Sequence, residues 1–154
     1  MVGRNPAPGS YLKVVIIGDP GVGKTALLDS YSNKKISKST QPTIGADFVK
    51  KRTTLADGKT QVAMQLWDTA GQERFQSLCV TFYRGADCCV MCYDVSRRDS
   101  YEKLEKWHRA FSQATNSEGV PFVIIGNKAD LGSKINPYQV REDWVNPGTV
   151  DAHF

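Results

Sequence analysis

The chain has 154 residues, of which 40% are hydrophobic, so its length excludes a second domain and its composition is sufficient for a core. Its net charge of +4 is modest and its basic residues are scattered, which favours a solvated surface over nucleic-acid or membrane binding. Residues 1–10 contain no apolar stretch long enough for a signal peptide or a membrane span. We therefore expect a flexible tail over residues 1–10, one domain over residues 11–154, and no nucleic-acid partner.

The four cysteines are predicted to be packed core thiols. Three of them fall within residues 88–92, and neither a second cysteine pair nor a suitably spaced histidine completes a zinc site. Reduced thiols are typical of the cytosol, so we expect a cytoplasmic protein.

In the first half of the chain, an apolar run over residues 12–17 predicts a strand that is buried on both faces. A helix is predicted over residues 25–33, and a polar loop over residues 34–41. Residues 46–55 and 60–67 read as two strands, with Val62, Met64 and Leu66 on one face of the second. Because Asp57-Gly58 between them is a strong hairpin turn, the two strands are predicted to be antiparallel.

In the second half, residues 88–94 and 122–126 predict two more buried strands, and residues 137–144 a short helix. Residues 100–114 form an amphipathic pattern with Leu104, Trp107 and Phe111 on one stripe, and Ser100 or Asp99 is expected to cap this helix. Strands alternating with helices predict an α/β fold with a mainly parallel sheet and one antiparallel edge. Ligands of such sheets bind at the carboxyl ends of the strands.

The first of three motifs fits the G-x-x-x-x-G-K-[ST] pattern of a phosphate-binding loop and lies between the first strand and the first helix. Its glycines let backbone N–H groups surround phosphate oxygens, at the positive end of the helix. Lys24 is expected to reach the β- and γ-phosphates, and Thr25 to bind Mg²⁺. The predicted nucleotide-binding residues are those of this motif, Gly18, Asp19, Pro20, Gly21, Val22, Gly23, Lys24 and Thr25, and Ala26, which follows it.

The second motif, Asp68-Thr69-Ala70-Gly71-Gln72, follows directly on a predicted strand. The Asp68 carboxylate is suited to hold a metal-bound water, and Thr43 can supply a second hydroxyl to the ion, so Thr25, Thr43 and Asp68 form the predicted magnesium site. Gly71 can offer its N–H to the γ-phosphate. Gln72 is the predicted catalytic residue, because hydrolysis of a phosphate needs an oriented water rather than a covalent nucleophile.

The third motif, Asn127-Lys128-Ala129-Asp130, follows the last predicted strand. The Asp130 carboxylate can accept hydrogen bonds from the N1–H and the amino group of guanine, whereas adenine presents neither donor at those positions. Losing two charge-assisted hydrogen bonds disfavours ATP by about two to four orders of magnitude. Asn127 is expected to brace the phosphate loop, and the Lys128 stem to lie along the base.

With these motifs in place, the chain resembles the Ras superfamily of small GTPases and, within it, the Rab family. Residues 43–48 and 67–75 look like Rab switch sequences, and residues 82–90 look like the late-endosomal subgroup. The resemblance covers residues 12–131 and implies the three-layer α/β/α fold of a P-loop NTPase that binds GTP or GDP with Mg²⁺. It implies a molecular switch in vesicle trafficking, with GTP hydrolysis that is slow without an activating protein.

The resemblance also implies partners, namely an exchange factor, a GTPase-activating protein and effectors. They would bind through switch I, residues 34–45, and switch II, residues 68–81. Relatives carry an aromatic residue where this chain has Ile36, so we expect nucleotide to leave faster than from those relatives.

Relatives also continue with a last strand, a final helix and a tail with prenylated cysteines, which the sequence ending at Phe154 lacks. We therefore expect a truncated GTPase domain without a lipid anchor, and endosomal membrane association only for a longer, prenylated form. The alternative is a non-catalytic module that binds Rab partners or is defective in nucleotide binding. An ATP-using P-loop enzyme is disfavoured by Asp130.

Overall fold

The computed structural model describes residues 11–33, 46–69, 81–116 and 119–144 of the chain. The predicted tail, residues 1–10, and the predicted polar loop, residues 34–41, lie outside these ranges. The strands are β1 (Leu12–Ile17), β2 (Ala46–Thr54), β3 (Gln61–Thr69), β4 (Cys88–Asp94) and β5 (Phe122–Asn127). The helices are α1 (Lys24–Asn33), α2 (Arg98–Glu102), α3 (Leu104–Thr115) and α4 (Pro137–Trp144), and a 3-10 turn, Ala129–Leu131, follows β5.

The described strands form one sheet in the order β2-β3-β1-β4-β5. All neighbours are parallel except β2 and β3, so the predicted antiparallel edge is confirmed. The predicted hairpin turn is confirmed as well: Gly58 has a φ of +68°, and the Asp57 carboxylate accepts hydrogen bonds from the backbone N–H groups of Lys59 and Thr60. The sequence predicted this arrangement because the turn chemistry and the apolar runs are both local signals.

Helices cover the sheet on both faces, which gives the predicted three layers. Alternate residues of β1 point to opposite faces: Val14 and Ile16 pack with Leu28 of α1, whereas Val15 and Ile17 face a larger cluster on the other side. That larger cluster includes the buried stripe of α3, which consists of Leu104, Trp107 and Phe111 as predicted. Because both faces of β1 are buried, the strand has the continuous apolar sequence that is typical of a parallel sheet.

The predicted helix over residues 100–114 is two helices, α2 and α3, which meet at Lys103. The predicted cap is wrong. The helix begins at Arg98, and Arg97 precedes it without a side-chain cap. Ser100 is instead fully buried inside α2, where its hydroxyl donates to the Arg97 carbonyl at 2.7 Å and accepts the Asp94 N–H at 3.0 Å. The hydroxyl thus binds the backbone N–H at the end of β4 instead of capping the start of a helix.

Three of the cysteines are packed thiols, as predicted, and Cys79 lies outside the described residues. Cys89 and Cys92 are fully buried and Cys88 is partly buried. All three are free thiols that form no disulfide. Burial raises the pKa of the Cys92 thiol to about 12, so this group is neutral at physiological pH. None of the helices in the described ranges has both the length and the apolar character that crossing a membrane requires.

Candidate nucleotide-binding site

The three motifs meet at one edge of the sheet. Residues 18–23 join the end of β1 to the start of α1, Asp68 lies near the end of β3, and Asn127 is the last residue of β5. Asp68 is level with Ile16 of β1, and Asn127 is level with Asp94 of β4. Because the carboxyl ends of parallel strands share an edge, residues that are far apart in sequence come together here.

The phosphate loop requires glycine at two positions for close packing as well as for conformation. Gly18 and Gly23 have φ values of +143° and +94°, which L side chains rarely adopt. A Cβ at Gly18 would lie 2.2 Å from the Cys92 carbonyl oxygen, and one at Gly23 would lie 2.4 Å from Nδ2 of Asn127. The loop therefore lies directly against β4 and β5. The contact with Asn127 of β5 was predicted, whereas the contact with Cys92 of β4 was not.

Lys24 lies over the loop and is only 6% exposed. Its ammonium donates to the carbonyl oxygens of Gly18 at 2.8 Å and Asp19 at 3.0 Å. Lys24 begins α1, and the half-buried Ala26 follows within its first turn. A cation and the positive end of a ten-residue helix thus converge at the loop, which is an arrangement that suits a phosphate group.

Thr25 and Asp68 bring two oxygen ligands together. The Thr25 hydroxyl donates to Oδ2 of Asp68 at 2.5 Å, and Asp68 is 3% exposed. The hydroxyl of Thr69 donates to the Ile16 carbonyl at 2.7 Å and holds the end of β3 against β1. A hydroxyl beside a carboxylate fits the oxygen preference of Mg²⁺, so these side chains suit the predicted ion.

The third motif braces the loop, as predicted for Asn127. Its Nδ2 donates to the carbonyl oxygen of Val22 at 2.9 Å, and Nζ of Lys128 donates to that of Gly21 at 2.6 Å. Lys128 also forms an ion pair with Asp94, at 2.8 Å. Burial raises the pKa of the Asp94 carboxyl, but hydrogen bonds from Lys128 and Ser96 outweigh it, so the net pKa lies below its ordinary value.

Asp130 lies in the 3-10 turn that follows β5, and its side chain is exposed. Lys128, before this turn, has a φ of +64°, so the chain reverses direction sharply between Asn127 and Asp130. The turn leaves the Asp130 carboxylate open to a base that would lie beside the Lys128 stem. The contact of the Lys128 stem with a base stays a prediction. The Lys128 ammonium binds the Gly21 carbonyl and the Asp94 carboxylate.

The Asp19 side chain faces away from the loop. The whole residue is 2% exposed, and its carboxylate accepts hydrogen bonds from Nζ of Lys103 at 2.7 Å and from Nε1 of Trp107 at 3.1 Å. Arg97 also reaches the loop, where it donates to the Pro20 carbonyl at 3.3 Å. The sequence placed Trp107 on the apolar stripe of a helix and indicated no role for it at the phosphate loop. The one signal that connects Trp107 with Lys103 is their spacing of four residues.

Several predicted site residues lie outside the described ranges. They include Thr43, Gly71, Gln72, all of switch I (residues 34–45) and most of switch II (residues 68–81). Their roles remain predictions.

A mainly parallel sheet, with a loop of the G-x-x-x-x-G-K-[ST] pattern between its first strand and the following helix, defines a P-loop nucleotide-binding domain. More particularly, the chain belongs to the Ras family, whose sequence model matches residues 13–146. The predicted fold class and family are confirmed.

Curated relatives carry Rab names. Ras-related protein Rab7 of Glycine max is 48% identical over 141 residues, which is 88% of this chain and 68% of that protein. The Ypt/Rab-type GTPase avaA of Emericella nidulans is 55% identical over 123 residues, or 78% of this chain and 59% of that protein. Ras-related protein Rab-7a of Dictyostelium discoideum is 54% identical over 123 residues, which is 78% of this chain and 60% of that protein. The chain is therefore a small GTPase domain of the Rab type, and it spans 59% to 68% of the length of these relatives.

Proposed function

We propose that this chain binds GTP with Mg²⁺, hydrolyses it to GDP and phosphate, and acts as a switch of the Rab type in vesicle trafficking. The observation that carries the proposal is the hydrogen bond from Asn127 to the Val22 carbonyl. It joins the third motif to the phosphate loop, so the parts that would bind the base and the phosphates are in direct contact. The Rab GTPase names of the relatives support the same activity.

Binding uses the loop and its neighbours. Backbone N–H groups of the loop, the N-terminus of α1 and the Lys24 ammonium would hold the phosphates, as oriented dipoles and a cation do in such loops. Thr25, Thr43 and Asp68 would hold Mg²⁺, which when bound neutralises charge on the β- and γ-phosphate oxygens. The exposed Asp130 carboxylate would accept two hydrogen bonds from guanine and so select GTP over ATP.

Hydrolysis requires water to attack the γ-phosphorus opposite the β–γ bridging oxygen. A bond from the water oxygen to phosphorus forms, the bond from phosphorus to the bridging oxygen breaks, and the water proton passes to phosphate. Gln72 would orient the water, and the Gly71 N–H would bind the γ-phosphate. Unaided turnover is slow in this scheme, because the arginine that stabilises the transition state would come from an activating protein.

The partners are proposed from the family. An exchange factor, a GTPase-activating protein and effectors would bind through residues 34–45 and 68–81, whose conformation would depend on the γ-phosphate. We propose that the chain is cytoplasmic and that a prenylated form of the protein associates with endosomal membranes.

The direct test is to purify the chain, denature it and identify any released nucleotide by chromatography. Near-stoichiometric GDP or GTP is expected, together with hydrolysis of added GTP in the presence of Mg²⁺. A protein that carries no nucleotide and takes up neither GTP nor GDP would overturn the proposal in favour of a non-catalytic module that binds Rab partners.

A further inference from the structure

Asp19 places a buried negative charge within a loop that is built to bind negative phosphates. Its side chain is 3% exposed, and each carboxylate oxygen has a partner from α3 or its start, Lys103 at 2.7 Å and Trp107 at 3.1 Å. Lys103 itself is 42% exposed at its side chain. The carboxylate is therefore desolvated, and its charge is balanced by a lysine whose stem reaches in from the surface.

The partners of Asp19 belong to a well-anchored part of the fold. Trp107 is 2% exposed and packs in the larger core cluster with Leu104 and Phe111 of the same helix. The packing of the indole ring in the core thus fixes the position of the N–H that donates to Asp19. Because residues 19 and 107 are 88 positions apart, this hydrogen bond ties the phosphate loop to a helix that the motifs do not include.

The charge balance bears directly on the phosphate-binding lysine. Lys24 touches the backbone carbonyl of Asp19 at 3.0 Å, so its ammonium lies beside the same residue whose carboxylate Lys103 neutralises. Without Lys103, the carboxylate would repel phosphate oxygens and attract the Lys24 ammonium. Both effects weaken the binding of a polyphosphate, and both act strongly in a desolvated site.

We propose that Lys103 and Trp107 are positioning residues of the nucleotide site, which hold Asp19 against α3, and that Lys103 cancels the charge that would otherwise oppose the phosphates. The proposal rests on the proposed function, since it concerns the affinity for a guanine nucleotide. It extends that function because α3 and its first residues would hold the phosphate loop in place, in addition to α1 and the end of β5.

The test compares the release rate of GDP, measured with Mg²⁺ present, in wild type and four variants. Lys103→Met removes the charge, Lys103→Arg keeps it, and Asp19→Asn with Lys103→Met removes both charges together. Lys106→Met is the matched control, because Lys106 lies on the same helix and is exposed. We expect GDP to leave Lys103→Met about tenfold faster than wild type, and to leave both Lys103→Arg and the double variant more slowly than it leaves Lys103→Met. Release from Lys106→Met should stay within about threefold of wild type.

Each outcome is decisive. A Lys103→Met variant that releases GDP no faster than Lys106→Met overturns the proposal, and so does a double variant that is as fast as Lys103→Met, because a purely structural loss would not be rescued by removing the opposite charge. If Lys103→Met does not fold, Lys103→Arg and the double variant decide, and tenfold faster release from both would refute the charge balance. Wild type that binds no GDP contradicts the proposed function itself.

Discussion

The Thr25 hydroxyl and the Asp68 carboxylate lie 2.5 Å apart, and their hydrogen bond joins the first turn of α1 to the end of β3. The two residues come from different motifs, and they meet because β1 and β3 are parallel neighbours with Ile16 level with Asp68. The two proposed oxygen ligands of Mg²⁺ are thereby held together by the pairing of β1 with β3. The consequence is that each should contribute to the effect of Mg²⁺ on nucleotide release.

Replacing Thr25 with Ala removes one of these oxygen ligands. We expect GDP release in Mg²⁺ to become about 10- to 100-fold faster, which corresponds to the loss of about 1.5–3 kcal/mol from one interaction with a charged group. Addition of a chelator should then accelerate release far less than in wild type. The control is Thr54→Ala, since Thr54 is exposed in β2. A Thr25→Ala variant that a chelator accelerates as strongly as wild type would contradict the metal assignment.

Asp130 is expected to determine the choice of base. Asp130→Ala should lose about two to four orders of magnitude of preference for GDP over ADP, because two charge-assisted hydrogen bonds to guanine disappear. Competition of the two nucleotides for the purified protein measures this ratio. Glu142→Gln removes an exposed carboxylate from α4 and should leave the ratio unchanged. An unaltered preference in Asp130→Ala would show that another group reads the base.

Gln72 is expected to act on hydrolysis and not on binding. Gln72→Ala should reduce the single-turnover rate of GTP hydrolysis by about 10- to 100-fold, because the attacking water loses its orienting group. The dissociation constant for GTP should stay within about threefold of wild type. Gln113→Ala, at an exposed position of α3, serves as the control. Equal loss of binding and hydrolysis would refute a catalytic role.

Alanine substitutions at Gly23 and Gly58 separate two effects on the free energy of unfolding: a close contact of the new Cβ and strain in the backbone. Both have positive φ, but a Cβ at Gly58 meets nothing within 4 Å, whereas one at Gly23 meets Nδ2 of Asn127 at 2.4 Å. Gly58→Ala should cost about 1 kcal/mol in free energy of unfolding, from strain alone. Gly23→Ala should cost about 1–3 kcal/mol more, since Asn127 loses its bond to Val22. Urea unfolding of both variants measures the difference, and equal losses would contradict the contact.

His108 should make the stability of the protein depend on pH. It packs against Phe122 and Trp144, and burial lowers its pKa, an effect that the nearby Glu105 only partly opposes. Above about pH 6.5 both the folded and the unfolded forms hold a neutral ring. As pH falls below this value, the unfolded state takes up a proton more readily, so the free energy of unfolding decreases by at most about 1.4 kcal/mol per pH unit.

The decrease should be measured by urea unfolding at pH 7.5 and pH 5.5. His108→Gln should show a smaller difference between the two pH values than wild type. His153→Gln, which removes the other histidine of the chain, is the control and should retain the wild-type difference. If the free energy of unfolding of His108→Gln decreases between pH 7.5 and pH 5.5 as much as that of wild type, another group causes the pH dependence.

The order of elements, the hairpin and the three motifs could be predicted because each depends on a local signal. Apolar runs predicted the bounds of β1, β4 and β5 nearly to the residue. The prediction that β5 is buried is wrong: β1 and β4 are largely buried, but every residue of β5 is only partly buried, because β5 lies at the edge of the described sheet. The turn residues Asp57 and Gly58 predicted the antiparallel pair for a similar reason. The position of the site followed from a general property of parallel sheets, whose ligands bind at the carboxyl ends of the strands.

The sequence by itself determined the fold class, the family and the residue types that a guanine nucleotide and Mg²⁺ require. Only the tertiary structure decided where those side chains point: Asp19 towards α3, Lys128 towards Gly21, and Ser100 into the core instead of a helix cap. The physical reason for the first two is that the contacts of Asp19 and Lys128 join residues 84 to 107 positions apart. The packing of helices on the sheet, and the need of buried charged groups for hydrogen-bond partners, decide which residues meet. Neither produces a periodic pattern in the sequence.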